Sequence, residues 1–203
     1  MRIGFAADTY KPYISGVTNY ISLHKAELEK RGHEVVLVTF GNSLGEVDEP
    51  GLIRVPGYQL KMGYSFGFRY NRAAREALRR MDIVHLHHPF ITGQLVLREC
   101  KPRGIPMVFT GHTRYDQFFH DYLPWVPKPL GARILKSYLP GFCRKMNRVI
   151  SNSKASAEGL RNCGIDVPLT MLPNGVDMAP FYKAKYDPDS ALPDLYQKTV
   201  RGR

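Results

Sequence analysis

Apolar residues along this chain fall in short continuous runs and at helical spacings, and the two patterns alternate from end to end. Arg2–Ala7 (RIGFAA) reads as a buried strand and Glu34–Phe40 (EVVLVTF), rich in β-branched residues, as a second. Between them Gly16 opens a helix over about Val17–Arg31, whose apolar positions Val17, Tyr20, Ile21, Leu23 and Leu28 fit one face only roughly. Gly32 supplies its stop. Strand, glycine turn, helix, strand is a βαβ unit, for which a right-handed crossover is expected.

The alternation continues. Strands are predicted at Leu52–Val55, Asp82–His87, Ile105–Thr110, Arg148–Ser151 and Leu169–Leu172. Helices are predicted at Arg69–Met81 with Ala73, Ala77, Leu78 and Met81 inward, at Phe90–Lys101, at Val126–Met146 with an interruption near Pro140-Gly141, and at Ser153–Cys163 capped by Ser153. Pro56–Phe68 is aromatic and glycine-rich and is read as a connection without a period. The expected fold is α/β: a Rossmann-like parallel sheet with helices on both faces. One domain over residues 1–182 is followed by a polar tail over 183–203 that reads as a linker.

Polar groups concentrate where strands end, which is where open parallel sheets bind ligands. Pro106–Tyr122 (PMVFTGHTRYDQFFHDY) passes from a buried strand through Gly111 into His112, Thr113, Tyr115, Asp116, His120, Asp121 and Tyr122. His112 stands where a polarising or acid–base group would; a loop-capping histidine is the alternative. Ser15-Gly16-Val17 lets a backbone approach an anion at a helix N-terminus, though without the GxGxxG dinucleotide fingerprint. A turn glycine with no ligand explains it as well. His85, His87 and His88 suggest a metal, but no nearby cysteine or carboxylate completes a zinc set. Packed or hydrogen-bonded histidines beside a cleft are the preferred reading, and no metal is expected.

Charge changes the picture in one respect. The 203 residues carry a formal net charge of +11, which favours anionic partners without choosing among phosphate, nucleic acid and membrane. From Tyr122 to Ala157 there is no Asp or Glu, while Lys128, Arg133, Lys136, Arg144 and Lys145 accompany Trp125 and apolar residues at helical spacing, Leu130, Ile134, Tyr138, Leu139 and Phe142. A basic amphipathic helix with an aromatic anchor suits an anionic membrane surface. A core-facing helix with a solvated basic side is the alternative. Nucleic-acid binding rests on charge alone, with no recognised motif. No apolar run approaches the roughly 18 residues of a membrane span, and Met1-Arg2 leads directly into a strand too short for a signal core. The three well-separated cysteines, Cys100, Cys143 and Cys163, make a poor disulfide framework, so reduced buried thiols and a cytoplasmic location are expected.

Taken in order, six motifs resemble the retaining GT-B glycosyltransferases of the family 4 type. They are Asp8-x-Tyr10-x-Pro12 with Ser15-Gly16-Val17; Gly32-His33-Glu34-Val35; Asp82-Ile83-Val84-His85-x-His87-x-Pro89; Thr110-Gly111-His112-Thr113; Ser151-x-Ser153; and Pro173-Asn174-Gly175-Val176-Asp177 with Phe181. The resemblance implies the N-terminal, acceptor-binding half of a two-domain enzyme. Ser15, Gly16 and Val17 would face the donor diphosphate and His112 the transferred sugar or phosphate. Asp8, Tyr10, Thr113, Tyr115 and His120 would lie toward the acceptor. One departure is Ser15, where the family often has a second glycine. His112-Thr113-x-Tyr115 followed by His120-x-Tyr122 further resembles diacylglycerol glucosyltransferases. That implies UDP-glucose as co-substrate, no cofactor, a lipid acceptor and a peripheral membrane location. It also implies that the donor-holding C-terminal half is missing from this chain and that the chain alone turns over poorly. A non-catalytic membrane-binding module, or transfer to a soluble acceptor, are the alternatives.

Overall fold

The computed structural model describes residues 1–41, 49–59, 65–117, 127–178 and 182. The expected tail over 183–203, together with His120 and Trp125, lies outside the described residues. The strands are β1 (Arg2–Ala7), β2 (Glu34–Phe40), β3 (Leu52–Val55), β4 (Tyr58–Gln59), β5 (Ser65–Phe66), β6 (Ile83–Leu86), β7 (Met107–Gly111), β8 (Arg148–Ser151) and β9 (Leu169–Met171). The helices are α1 (Gly16–Lys30), α2 (Arg72–Arg79), α3 (Ile91–Cys100), α4 (Lys128–Cys143) and α5 (Lys154–Asn162).

Seven strands form one sheet in the order β3-β2-β1-β6-β7-β8-β9, and every pairing in it is parallel. The direction of strand addition reverses between β1 and β6. In open α/β sheets a crevice opens at such a switch point, beyond the carboxyl ends of the two strands. Residues of alternating parity on β1 serve the two faces. Ile3, Phe5 and Ala7 pack with Tyr20 and Ile21 of α1. Ala6 packs in the larger core with Leu78 of α2, Leu95 and Val96 of α3, Leu139 and Phe142 of α4, and Leu160 of α5. Helices do cover both faces, but unequally: α1 takes one and the other four share the opposite one.

Four local expectations are corrected. In α2 Leu78, and Met81 just beyond it, are buried as expected, but Ala74 rather than the exposed Ala73 is the buried alanine, and Ala77 is only half-buried. Helix α4 runs through Pro140 without a break. Pro140 removes one N–H bond near the helix end, and burial of Leu139, Phe142 and Cys143 on either side offsets the loss. β7 runs one residue past the expected Thr110, so that Gly111 is its last residue. A Cβ there would stand 2.9 Å from Leu160, so its small size lets α5 close on the sheet. The segment read as lacking a period holds an antiparallel hairpin, with Tyr58 opposite Phe66 and Gln59 opposite Ser65. The cysteines are as expected: all three are free and buried, and burial pushes the Cys100 and Cys143 thiols up to about 12 and Cys163 to about 11.

Candidate functional site

The switch point places three elements against one another: the first half of α1, the end of β6 with His87 and His88, and the end of β7 with His112. Ser15 begins the site. Its hydroxyl accepts from Thr18 N–H, and Thr18 Oγ1 accepts from Ser15 N–H at 2.7 Å, a capping box. The Ser15 side chain is therefore committed to starting the helix. The next two amides, Gly16 and Val17, are outside that box, and a Cβ on Gly16 would meet nothing within 4 Å. With no acidic residue in the first turn, the positive end of α1 faces open space.

One turn on, the Tyr20 ring meets the His112 ring edge-to-face at 4.7 Å and carries His24 stacked on its other side at 3.9 Å. Beneath lies a histidine ladder. His85 Nε2 and Thr110 Oγ1 are 2.6 Å apart, and His87 Nδ1 and His112 Nε2 are 3.1 Å apart. Phe5 supports both strand histidines from below, with ring centroids at 5.6 Å and 5.2 Å. His87 Nε2 is buried without a hydrogen-bond partner, and Tyr20 Oη lies near Thr110 but outside hydrogen-bond geometry.

That orphan atom decides the tautomers. If His112 donated to His87, His87 would carry its proton on Nε2 and strand a buried N–H, which is rare in folded proteins. If His87 Nδ1–H donates instead, only an acceptor goes unpaired. The second arrangement leaves His112 with its proton on Nδ1, which makes no bond to any described residue. His112 is thus a neutral donor at the mouth of the crevice.

The ladder stays neutral because burial disfavours the charged form of each ring. It lowers His85 and His112 to about 3 and His87 well below its ordinary value, with neighbouring histidines adding to the effect. His88 is lowered by burial as well, against a raising effect from Asp8. The folded protein therefore binds fewer protons than the unfolded chain below the ordinary histidine value of 6.5. Stability is fully present above pH 6.5 and is lost as pH falls from there toward 3. Each such ring contributes about 1.4 kcal/mol per pH unit in that window. Urea midpoints at neutral pH and about two units lower should differ clearly; identical midpoints would show that the ladder is not held neutral.

The remaining expected site residues are placed differently. Asp8 is buried and its carboxylate accepts from the Thr92 N–H and hydroxyl, capping α3 from the loop after β1, while Phe90 at the cap position offers no side-chain bond. Tyr10 is buried with its hydroxyl donated to Glu49 at 3.0 Å. Tyr115 is 2% exposed and packs edge-to-face on Phe90 in the larger core. Thr113 is half-buried beside His112. Sequence reasoning missed Tyr20, His24 and Thr110. Tyr20 and His24 are four apart on α1, a spacing that puts them on one face, but Tyr20 read as ordinary core. On α4, Arg133 and Lys136 are exposed together with Leu130 and Ile134, 50% and 40% exposed. Arg144 is exposed but paired with Asp166 at 2.6 Å, and Lys145 is exposed. Among the described residues no group of three or more His, Cys, Asp or Glu is placed to hold a metal ion, and no helix is long and apolar enough to cross a membrane.

A model of glycosyltransferase family 4 matches residues 14–179. The chain belongs to that family. It is 31% identical over 199 residues to the alpha-monoglucosyldiacylglycerol synthase of Acholeplasma laidlawii, covering 92% of this chain and 49% of that protein. To the protein of the same name from Streptococcus pneumoniae it is 30% identical over 189 residues, covering 89% and 42%. The chain thus spans about half the length of these curated relatives. The solved UDP-N-acetylglucosamine 2-epimerase of Rickettsia bellii shares the fold, with a TM-score of 0.51 at 12% identity over 98% of this chain and 51% of that one.

Proposed function

We propose that this family 4 chain is the acceptor-binding half of a retaining glucosyltransferase that moves glucose from UDP-glucose to diacylglycerol at the cytoplasmic face of a membrane. The observation that carries this reading is the similarity, over 92% and 89% of the chain, to two proteins named alpha-monoglucosyldiacylglycerol synthase. The site geometry is compatible with it. The open amides of Gly16 and Val17 would meet the donor diphosphate, and the neutral Nδ1–H of His112 would donate to the sugar side. The amides would meet negative charge growing on the diphosphate without themselves reorganising, and His112 would hold the sugar in its reactive orientation. The cationic groups that hold the leaving nucleotide would come from the other half, with residues 183–203 as the connection. This chain alone would then bind acceptor and turn over poorly. Thr113 and His120 remain the proposed acceptor side, whereas the Tyr10 hydroxyl is committed to Glu49. The exposed Leu130, Arg133, Ile134 and Lys136 of α4 support a peripheral seat on an anionic surface.

The test joins this chain to the C-terminal half of the Acholeplasma laidlawii relative and offers UDP-glucose with diacylglycerol in mixed micelles. Expected is an alpha-linked glucosyl lipid, with none formed by this chain by itself. Transfer only to soluble sugars would remove the lipid acceptor. A fusion that binds UDP-glucose and anionic vesicles yet transfers nothing would favour the non-catalytic membrane module.

A further inference from the structure

From Tyr58 to Phe68 every even position is apolar: Tyr58, Leu60, Met62, Tyr64, Phe66 and Phe68. Every odd one is polar or small: Gln59, Lys61, Gly63, Ser65 and Gly67. Such alternation gives a strand pair one apolar and one polar face. In a domain of this kind the apolar face is expected inward. Here it is the small face that docks. Ser65 and Gly67 are buried, and Thr9 Oγ1 accepts from Ser65 N–H at 2.8 Å. A Cβ on Gly67 would meet the Phe40 ring at 2.6 Å, and one on Gly57 would meet Phe66 O at 2.6 Å. The hairpin backbone therefore lies directly on Phe40 and on the loop after β1, fixed in place at the carboxyl edge of the sheet.

The aromatic face turns outward. Tyr58 and Phe68 are 64% and 66% exposed. Their rings and that of Phe66 form a mutual cluster, with centroids 5.7, 5.6 and 6.1 Å apart. Single exposed apolar residues are ordinary, whereas contiguous clusters mark interaction surfaces. The surrounding residues narrow the partner. Residues 50–75 contain no Asp or Glu. Arg69, next to Phe68, and Arg75 are exposed, whereas Arg54 is bonded to Lys11 O and Arg72 pairs with Glu76 just beyond the stretch. Tyrosine and phenylalanine amid cationic side chains suit the boundary of an anionic bilayer, where rings reach the acyl region and bases meet headgroups.

We propose that the β4–β5 hairpin is a bilayer-seating element, inserting Tyr58, Phe66 and Phe68 at the interface of an anionic membrane. This rests on the lipid-acceptor reading above and adds to the α4 seat a second contact, made by the hairpin. The hairpin is bonded to Thr9 in the loop that leads from β1 to the α1 N-terminus. Seating it would bring the switch-point crevice beside the lipid surface.

The probe is a vesicle of phosphatidylcholine and phosphatidylglycerol in equal parts, with the full chain in flotation and in a salt series. The variant is Tyr58→Ser with Phe68→Ser, two exposed positions whose change should leave circular dichroism and melting unaltered. Expected is binding weakened roughly 10- to 100-fold for the pair, with the salt dependence retained because the bases remain. Binding by the variant as tight as by the native chain overturns the hairpin while leaving the lipid reading intact. Failure of the native chain itself to bind overturns the lipid-surface reading, and the hairpin with it. If instead the native chain sediments as a dimer that the variant dissolves, with vesicle binding unchanged, the rings serve a second copy and the proposal falls.

Discussion

Replacing His112 with alanine in the two-domain fusion is expected to lower glucosyl transfer by roughly 10²–10³-fold, the usual cost of removing one preorganised donor. The loss should appear in kcat more than in KM if, as proposed, the Nδ1–H holds the sugar in its reactive orientation while the diphosphate leaves. The tautomer makes a second, sharper expectation. His87 touches no substrate in this scheme; it is a positioning residue whose Nδ1–H holds the His112 proton on the outward nitrogen. His87→Phe should keep the ring packing on Phe5 while releasing His112 to the other tautomer. His87→Asn keeps a donor near the same place and should restore the native one. Nitrogen chemical shifts of labelled histidine in the 203-residue chain report this directly. Undiminished transfer by His112→Ala removes the residue from the chemistry. An Nε2-protonated His112 in the native chain refutes the hydrogen-bond direction assigned here.

The largest expected effect on stability lies elsewhere, at Phe142. Its ring is 1% exposed, meets Phe109 of β7 edge-to-face at 5.2 Å and stacks with Tyr138 at 6.1 Å. It also fills the space over Gly93, where a Cβ would stand 2.7 Å from its ring. One side chain thus joins α3, α4 and the centre of the sheet. Phe142→Ala should destabilise by about 3–5 kcal/mol through lost burial and a cavity that surrounding helices cannot close. For a chain of this size the melting temperature should fall by on the order of 10 °C. A change below about 1 kcal/mol in urea unfolding would mean that α4 relaxes into the gap, and that its passage through Pro140 is not held by this contact.

Much of the architecture was legible before any coordinates, and for local reasons. β-branched runs bounded by glycine and capping serines predict strands and helix ends from interactions within a few residues. Ser153 accepting from Ser156 N–H, and Gly32 at φ 82°, are of this kind. The site was legible only in outline. His112, Gly16 and the histidines of β6 stood out because polar groups after buried strands are uncommon. Asp8, Tyr10 and Tyr115 stood out for the same reason, yet their side chains serve a helix cap, a Glu49 bond and the core. Residue type does not say which partner claims a side chain.

The hairpin shows the limit from the other direction. Its period of two was present from Tyr58 to Phe68, but period alone does not say which face is buried. Only the approach of Phe40 to Gly57 and Gly67 turned the small face inward and the aromatic face out. The same holds for the crevice. The sequence alone determined that this chain would form alternating strands and helices with polar strand ends, since those depend on neighbours along the chain. Tertiary structure decided that the strand order reverses between β1 and β6, and hence that Tyr20, His87 and His112 meet there. Contacts between residues 25 and more apart depend on which strands pair, and local pattern does not encode that choice.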